Sequence, residues 1–538
     1  MWPSRRDLPM KLPATCFCLL LASVPAWADT VTVTGRVYQE RDHRPGRGAT
    51  DPGMGGVQVS NGRTIVRTAG DGSYRLQVQD GDTVFVIKPE GYRLPAATDG
   101  LPAFWRHYAP QGSPALKYQG IAPTTMPANA YDFALLPDRR TTRNGFQMLV
   151  FTDSQTATLR DIGYYADAIV KPLKGRTKAR LGTTLGDIVN DDLSLYPAIN
   201  TVTTQLGVPW FHVPGNHDLD FDASGDVHSL DSWRAVYGPD TYAVEEGGAS
   251  FVFLDDVVYQ PDVRPKYIGG LRADQFAFLE QYLKGLRRDR LLVLGMHIPL
   301  FDAAPDRETF RHADRQRLFA LLKDFSNVLV LSGHSHTQQH YHHAAADGWQ
   351  GERPLHEYNV GANCGAFWSG VKDDKGVPDS MMSDGTPKGY ALLDVAANGS
   401  YQLQYRVAGA PASEQIGLHA PRVLRKGAYP AWGVYANVYM GEDATRVEYR
   451  VDGAAWQPMK QVRQPDPRLL VENVADDLAQ TLRGYDRSPE ATASPHLWRG
   501  ALPTDLSVGE HRVEVRATQP DGAVFTASTR YTLQNAEP

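Results

Sequence analysis

Between residues 144 and about 331, short apolar runs alternate with stretches of helical spacing, and this alternation limits the folds open to the chain. The intervening stretches place their apolar residues on one helical face, as Ile162, Tyr165, Ile169 and Leu173 do. The predicted strands are 146–151, 181–185, 208–213, 251–254, 291–296 and 327–331. Strands that alternate with helices over this length predict a layered α/β domain.

Polar side chains follow one predicted strand after another in this region. Because parallel strands of one sheet end at a common edge, we expect these side chains to lie close together. All of them offer hard oxygen or imidazole ligands, which predicts a metal site. The residues concerned are Asp153 and Gln155, Asp187 with Asp191 four residues on, Asn216, His217 and Asp218, His297, and His334 and His336.

The order of these motifs resembles the calcineurin-like metallophosphoesterase family over residues 144–400. The matching pieces are Asp-x-Gln, Gly-Asp-x-x-x-Asp, Gly-Asn-His-Asp, a single His and Gly-His-x-His. The resemblance implies a four-layer α/β/β/α sandwich with a dinuclear site. It implies that Asp187 bridges two metals, that Asp153, Gln155 and His336 complete one metal, and that Asn216, His297 and His334 complete the other.

The same resemblance assigns roles beside the metals. His217 would contact the phosphate or protonate the leaving oxygen, and Asp218 would orient its ring. Many family members have His where this chain has Gln155, so the identity of that metal, among Mn, Fe and Zn, stays open. Two cations about 3.5–4 Å apart would activate a bridging water for attack on phosphorus.

These features predict a dinuclear-metal-dependent phosphoesterase, with phosphate monoesters and diesters both open as substrates. The alternative is a metal-containing cell-surface binding protein without turnover. Because every expected ligand and His217 are present, the sequence favours the enzyme.

Both flanks of this region have the pattern of all-β domains. Residues 29–137 alternate apolar and polar positions and carry hairpin signals such as Asp71-Gly72. Residues 29–137 resemble a small transthyretin-like sandwich, and the pattern of residues 405–538 predicts an immunoglobulin-like sandwich. This three-part layout resembles a bacterial secreted subgroup of the family. Neither flank carries a catalytic cluster, so we expect both to position or shield the site.

The N-terminus has the features of a signal peptide, residues 1–28. Arg5, Arg6 and Lys11 precede an apolar run over 12–24 that is too short to span a bilayer, and Ala26-Trp27-Ala28 predicts cleavage after Ala28. We therefore expect a periplasmic or secreted protein, exported by either the general or the twin-arginine route.

Cleavage would change both the charge and the cysteine content of the chain. The formal net charge would fall from −6 to about −8, which argues against nucleic acid or an anionic membrane as the main partner. Cys16 and Cys18 would leave with the signal. Cys364 would remain alone, which excludes an internal disulfide.

Overall fold

A computed structural model describes residues 30–536 except 42–45, 49, 126, 139, 141–144 and 305. The predicted signal peptide, residues 1–28, lies outside the described residues. The chain forms an N-terminal β-sandwich, a central α/β domain and a C-terminal β-sandwich. Among the helices in the described ranges, none has the length and apolar character needed to cross a membrane.

The N-terminal sandwich has two four-stranded sheets, ordered β4-β1-β8-β6 and β3-β2-β5-β7. Alternate residues of β4 are buried, as the apolar–polar alternation predicts. Phe104 packs on Phe211 and Tyr242 of the central domain, so the two domains share one apolar core. The strands are β1 (Val31–Gln39), β2 (Gln58–Ser60), β3 (Ile65–Arg67), β4 (Ser73–Val78), β5 (Asp82–Val86), β6 (Tyr92–Arg93), β7 (Trp105–Tyr108) and β8 (Phe133–Pro137).

The central domain is built from thirteen strands and six helices. Its elements are β9 (Phe146–Phe151), α1 (Leu159–Tyr165), α2 (Lys171–Leu173), β10 (Leu181–Leu185), α3 (Tyr196–Thr203), β11 (Trp210–Val213), α4 (Asp231–Tyr237), β12 (Thr241–Glu246), β13 (Ala249–Leu254), β14 (Val257–Tyr259), β15 (Tyr267–Gly269), α5 (Ala273–Lys284), β16 (Leu291–Gly295), α6 (His312–Leu322), β17 (Val328–Ser332), β18 (Gln339–His343), β19 (Leu355–Asn359), β20 (Gly389–Val395) and β21 (Tyr401–Val407).

Two sheets of this domain face each other across apolar side chains. Their orders are β11-β10-β9-β20-β21 and β12-β13-β16-β17-β19-β18. Phe211 of the first sheet stacks on Phe253 of the second, with ring centroids 5.9 Å apart. Helix α1 packs on the outer side of the first sheet through Tyr165 and Phe151, and α5 and α6 pack together beside the second. The predicted four-layer α/β/β/α sandwich is confirmed.

Two details of the central domain differ from the sequence-based prediction. The helix predicted from Ile162 to Leu173 has a π-helical turn at Ala166–Val170 between α1 and α2, which helical spacing alone does not reveal. The domain also extends past the predicted boundary at residue 400, because β21 pairs along its whole length with β20 in the first sheet.

The C-terminal sandwich has its own apolar core. Its sheets are ordered β22-β24-β28-β27 and β23-β30-β29-β25-β26. Asp384 joins it to the central domain, because its Oδ2 accepts from Gln338 N at 2.8 Å and lies 3.1 Å from His496 Nε2. The elements are β22 (Ile416–His419), β23 (Val423–Arg425), β24 (Gly433–Val438), β25 (Arg446–Val451), β26 (Gln457–Pro458), β27 (Lys460–Val462), α7 (Pro467–Leu478), β28 (Leu497–Ala501), β29 (Gly509–Thr518) and β30 (Val524–Gln534).

Candidate metal centre

The seven predicted ligands come from five strands of both facing sheets and meet at one edge of the domain. Each motif begins two or three residues after a strand ends, so the backbone has left the sheet and can turn its side chains inward. The strands and their residues are β9 with Asp153 and Gln155, β10 with Asp187, β11 with Asn216, β16 with His297, and β17 with His334 and His336.

The backbone is strained at most of these positions. Five of the seven residues have positive φ, a left-handed conformation that side chains other than glycine adopt at a cost. Strain of this kind persists where the surrounding structure enforces it, and it concentrates at functional sites. The residues and their φ values are Asp153 at 48°, Gln155 at 39°, Asp187 at 50°, His334 at 69° and His336 at 48°.

Two glycines allow the strand tips to approach one another. A Cβ atom on Gly186 would lie 2.4 Å from Nδ1 of His297, and Gly186 has a φ of +85°. A Cβ atom on Gly215 would lie 2.2 Å from the backbone nitrogen of Asp187. Neither contact is possible for a real side chain, so glycine is required at both positions.

The acidic and imidazole ligands form two groups that share one carboxylate. Asp187, His297 and His334 offer ligand atoms within 4.8 Å of one another, and so do Asp153, Asp187 and His336. Asn216 belongs to the first group, since its Oδ1 lies 3.1 Å from His297 Nε2. Two oxygen-and-nitrogen ligand sets that share Asp187 fit a pair of divalent cations.

Backbone carbonyls fix the rings of two ligand histidines. His297 donates through Nδ1 to the carbonyl oxygen of Leu185 at 2.8 Å, and His336 does so to that of Ala366 at 2.7 Å. Each ring therefore keeps Nε2 for the cluster, where the nearest carboxylate oxygens lie 3.4 Å away. Such outer hydrogen bonds set the tautomer of metal-ligating histidines.

Gln155 lies beside the shared carboxylate. Its Nε2 is 3.4 Å from Asp187 Oδ2, and its Oε1 is 3.9 Å from the buried thiol of Cys364. A half-turn of the amide about its last bond would direct Oε1 toward Asp187 and the metal position. The carbonyl oxygen of Gln155 can then serve as the ligand that the sequence assigns to it.

The cluster holds its charges through mutual pairing. Burial alone would disfavour the charged forms, but His297 keeps the pKa of Asp187 below its usual range. Asp187 in turn raises the pKa of His297 to about 10 despite burial. Burial, together with the charge on His297, lowers the pKa of His334 to about 3. Bound cations would replace the protons on these imidazoles, because metal ligation requires the neutral ring.

His217 lies at the edge of the cluster, and its ring is oriented by a different acid from the one predicted. Nδ1 of His217 is 2.8 Å from Oδ1 of Asp191, and its backbone nitrogen donates to Asp187 Oδ1 at 2.8 Å. Burial lowers the pKa of His217, but Asp187 and Asp191 outweigh this effect and raise it. Asp191 thus favours the protonated imidazole.

The expectation that Asp218 orients His217 is wrong. The Asp218 carboxylate is buried and accepts from the backbone nitrogens of Gly215 at 2.9 Å and Ile188 at 3.2 Å, and from Tyr196 Oη at 3.0 Å. Burial and the nearby Asp187 raise its pKa to about 7. Asp218 therefore braces the loop that carries Asn216.

The sequence leaves the Pro-rich stretch 109–127 open as a linker or as a segment laid over the next domain, and it does not identify a contribution of this stretch to the rim of the site. The described residues of the Pro-rich segment 109–127 lie over the central domain. Tyr118 donates its hydroxyl to the carbonyl oxygen of Asp191 at 2.9 Å, and the backbone nitrogen of Lys117 donates to Asp222. No motif marks Tyr118, because the contact exists only once the two domains have packed together.

From the sequence, four residues are candidates for lining the substrate pocket, although ordinary loop packing is the commoner role for such residues: Tyr259, Phe367, Trp368 and Lys388. Phe367 fits this role, since its ring is 60% exposed and packs near His336. Trp368 and Tyr259 are buried and donate to the carbonyl oxygens of Ser154 and Phe221. Lys388 donates to backbone carbonyls within its own loop. The last three are structural.

Comparisons with known proteins agree with this geometry. Residues 146–338 match the family model described as calcineurin-like phosphoesterase. Residues 44–120 and 357–525 match the models for the N-terminal and C-terminal parts of calcineurin-like phosphoesterases. A protein from Psychrobacter arcticus named a probable cyclic nucleotide phosphodiesterase is 23% identical over 258 residues, which cover 46% of this chain and 83% of that protein.

Two solved structures are also similar to parts of the chain. A dimetal phosphatase from Danio rerio has 16% identity and a TM-score of 0.32, covering 48% of this chain and 98% of its own. A purple acid phosphatase from yellow lupin (Lupinus luteus) seeds has 11% identity and a TM-score of 0.37, covering 72% and 68%. Because the three family matches together span most of the sequence, the chain belongs to the calcineurin-like phosphoesterase family and is a metal-dependent phosphoric ester hydrolase.

Proposed function

We propose that this protein is an exported phosphodiesterase that cleaves its substrate at the cluster around Asp187. The observation that carries the choice of diester is the absence, among the described residues, of an ion pair between the cluster and a lysine or arginine. Among the side chains that the structure describes, no lysine or arginine pairs with Asp153, Asp187 or His217. A monoester dianion brings more negative charge than a diester monoanion and calls for more compensating cations. The name of the Psychrobacter relative supports the same choice.

The residues of the chain divide the work between holding metal and moving a proton. Bound at the two ligand groups, divalent cations would polarise the phosphoryl oxygens and lower the pKa of water. Asp187 holds the two groups together through its shared carboxylate. His217 is tied through Nδ1 to Asp191, so Nε2 is the ring atom left to donate a proton to the leaving oxygen.

Turnover of two chromogenic esters tests this proposal. The protein would be loaded with Mn²⁺, Fe²⁺ or Zn²⁺, its metal content measured, and kcat/KM determined for bis(4-nitrophenyl) phosphate and 4-nitrophenyl phosphate. We expect the diester to be preferred, and the Asp187→Asn variant to lose activity toward both. A preference for the monoester would contradict the choice of diester. A fully loaded protein that cleaves neither ester would contradict the proposed function as a whole.

Export rests on the N-terminal sequence and has its own test. Expression of the full chain in a Gram-negative host, followed by mass spectrometry of the periplasmic fraction, should give a protein that begins at Asp29. A periplasmic fraction without the protein, or a protein that keeps residues 1–28, would contradict this part of the proposal.

A further inference from the structure

A second pocket lies directly beside the metal centre. It is a cavity of about 380 Å³ lined by Phe221, Arg264, Pro265, Lys266 and Tyr267. Tyr267 separates it from the cluster: its ring packs edge-on against His334, with centroids 5.9 Å apart. The pocket therefore continues the site on the His334 side.

The walls of the pocket are held in place by contacts behind them. Phe221 follows the Asn216-His217-Asp218 turn, and its ring packs edge-on against Tyr259. Tyr259 also donates its hydroxyl to the carbonyl oxygen of Phe221 at 2.8 Å, and it pairs with Tyr267 in the β14–β15 hairpin. The two aromatic walls are therefore fixed relative to each other. A preformed gap between fixed aromatic side chains suits a flat ring.

The pocket also carries two cations that have no acidic partner. Neither Arg264 nor Lys266 forms an ion pair within the part of the chain that the structure describes, and the Nζ of Lys266 lies 5.9 Å from the centroid of the Phe221 ring. Other basic residues of this domain, such as Arg234 and Arg272, are neutralised by Asp240. Unpaired cations between aromatic walls are suited to an anion attached to a flat ring.

We infer that this pocket binds the organic part of a nucleotide substrate, with the base against Phe221 and Tyr267 and a second phosphate at Lys266 and Arg264. The inference rests on the proposed function, since the scissile phosphate lies at the metal centre. It adds the substrate class and the residues that select it. A base stacked on an aromatic side chain contributes enough affinity to separate nucleotides from sugar phosphates.

Binding of three ligands to the metal-loaded full chain tests the assignment. AMP has a base that ribose 5-phosphate lacks, and ADP has a second phosphate that AMP lacks. Their dissociation constants would be measured by calorimetry. Their inhibition constants would be measured in the hydrolysis of bis(4-nitrophenyl) phosphate. We expect AMP to bind about tenfold more tightly than ribose 5-phosphate. We expect ADP to bind more tightly than AMP, because Lys266 and Arg264 meet the added charge.

Variants of the lining residues show which side chain binds the base and which binds the second phosphate. Phe221→Ala and Tyr267→Ala should abolish the preference for AMP over ribose 5-phosphate, whereas Tyr267→Phe, which keeps the ring, should retain it. Lys266→Ala should abolish the preference for ADP over AMP, and Lys284→Ala, at an exposed lysine at the end of α5, serves as its matched control. Tyr267 contacts a predicted ligand, so Tyr267→Ala could lose metal and become uninformative. Phe221 packs on Tyr259 instead, so Phe221→Ala should keep its metal and still test the pocket.

Two results would overturn the inference. One is equal affinity of the wild type for AMP and ribose 5-phosphate. The other is a preference for AMP that survives in Phe221→Ala with full metal content. Turnover of bis(4-nitrophenyl) phosphate separates these results from failure of the proposed function, because that turnover tests the metal centre and the ligand preferences test the pocket.

Discussion

The pairing of His217 with Asp191 gives the sharpest mechanistic prediction for this enzyme. The change is Asp191→Asn, which keeps the size of the side chain and removes its charge. Asp191 has a φ of +63°, a conformation that asparagine tolerates, so the backbone should not move. The substitution therefore isolates the effect of the carboxylate on the imidazole 2.8 Å away.

The size of the effect follows from the contact and its exposure. A hydrogen bond that involves a charged group contributes about 1.5–3 kcal/mol. The Asp191 side chain is 54% exposed and that of His217 is 30% exposed, so solvent screening reduces this to about 1 kcal/mol. That is somewhat less than one pKa unit, since one unit corresponds to about 1.36 kcal/mol.

The sign of the pH effect follows from the role of His217 as an acid. Asp191 raises the pKa of His217, so its removal lowers that pKa and the proton is lost at lower pH. The alkaline limb of kcat/KM should move down by about half a unit to one unit. Above that limb, the rate for an ester with a poor leaving group should fall about fivefold, and the rate for a nitrophenyl ester should fall less.

The assay compares pH profiles for esters with good and poor leaving groups, in the wild type, Asp191→Asn, His217→Ala and the double variant. Metal content would be measured in each sample. Asp191→Asn should have no further effect once His217 is absent. If it slows both esters equally, or slows the His217→Ala enzyme as much as the wild type, Asp191 does not act through His217.

Three further predictions concern the cluster and its rim. Asp187→Asn should lose activity and much of the bound metal while its circular dichroism spectrum stays unchanged. Turnover of this variant at the wild-type rate would show that Asp187 is not a ligand shared by two metals. Gln155→His should slow the loss of the first metal in a chelator titration and shift preference from Mn²⁺ toward Zn²⁺ or Fe; identical titrations would show that residue 155 is not a ligand. Tyr118→Phe should lower kcat for poor leaving groups by a few-fold with KM unchanged, whereas equal loss for all esters would point to a purely structural role.

Asp218→Asn is the contrasting case to Asp191→Asn. It replaces an acceptor of two backbone N–H groups and the Tyr196 hydroxyl by an amide whose single oxygen can satisfy them only in part, so we expect lower thermal stability and weaker metal binding. The ratio of rates for good and poor leaving groups should stay that of the wild type. A selective loss with poor leaving groups would restore Asp218 as the partner of His217.

Local patterns in the sequence predicted much of the fold. The strand predicted at 146–151 is β9, because a buried strand appears as a nearly continuous apolar run, and the strand predicted at 181–185 is β10. The helical stripe that includes Phe276, Leu279 and Leu283 is buried in α5. The sequence pattern ended the domain too early because β21 alternates apolar and polar residues, as do the strands of the β-sandwich that follows it.

The candidate ligands could also be named from sequence. Each stands just beyond a strand, and Asp187, Asn216 and His334 each follow a glycine whose missing side chain leaves room for its neighbours. Strand ends of parallel sheets converge whatever the rest of the molecule does. The ligand groups around Asp187 are thus a consequence of local sequence together with sheet geometry.

The surroundings of the ligands were decided only by tertiary structure. His217 and Asp218 are adjacent in a 3₁₀ turn, where successive side chains diverge by about 120°, so one faces the cluster while the other turns back into the loop. The acid that reaches His217 is Asp191, which comes from a different strand end. Tyr118 arrives from another domain, and Phe221 and Tyr267, from separate segments, line one pocket. The sequence by itself determined which chemistry the chain carries, whereas the packing of distant segments decided how that chemistry is oriented and what surrounds it.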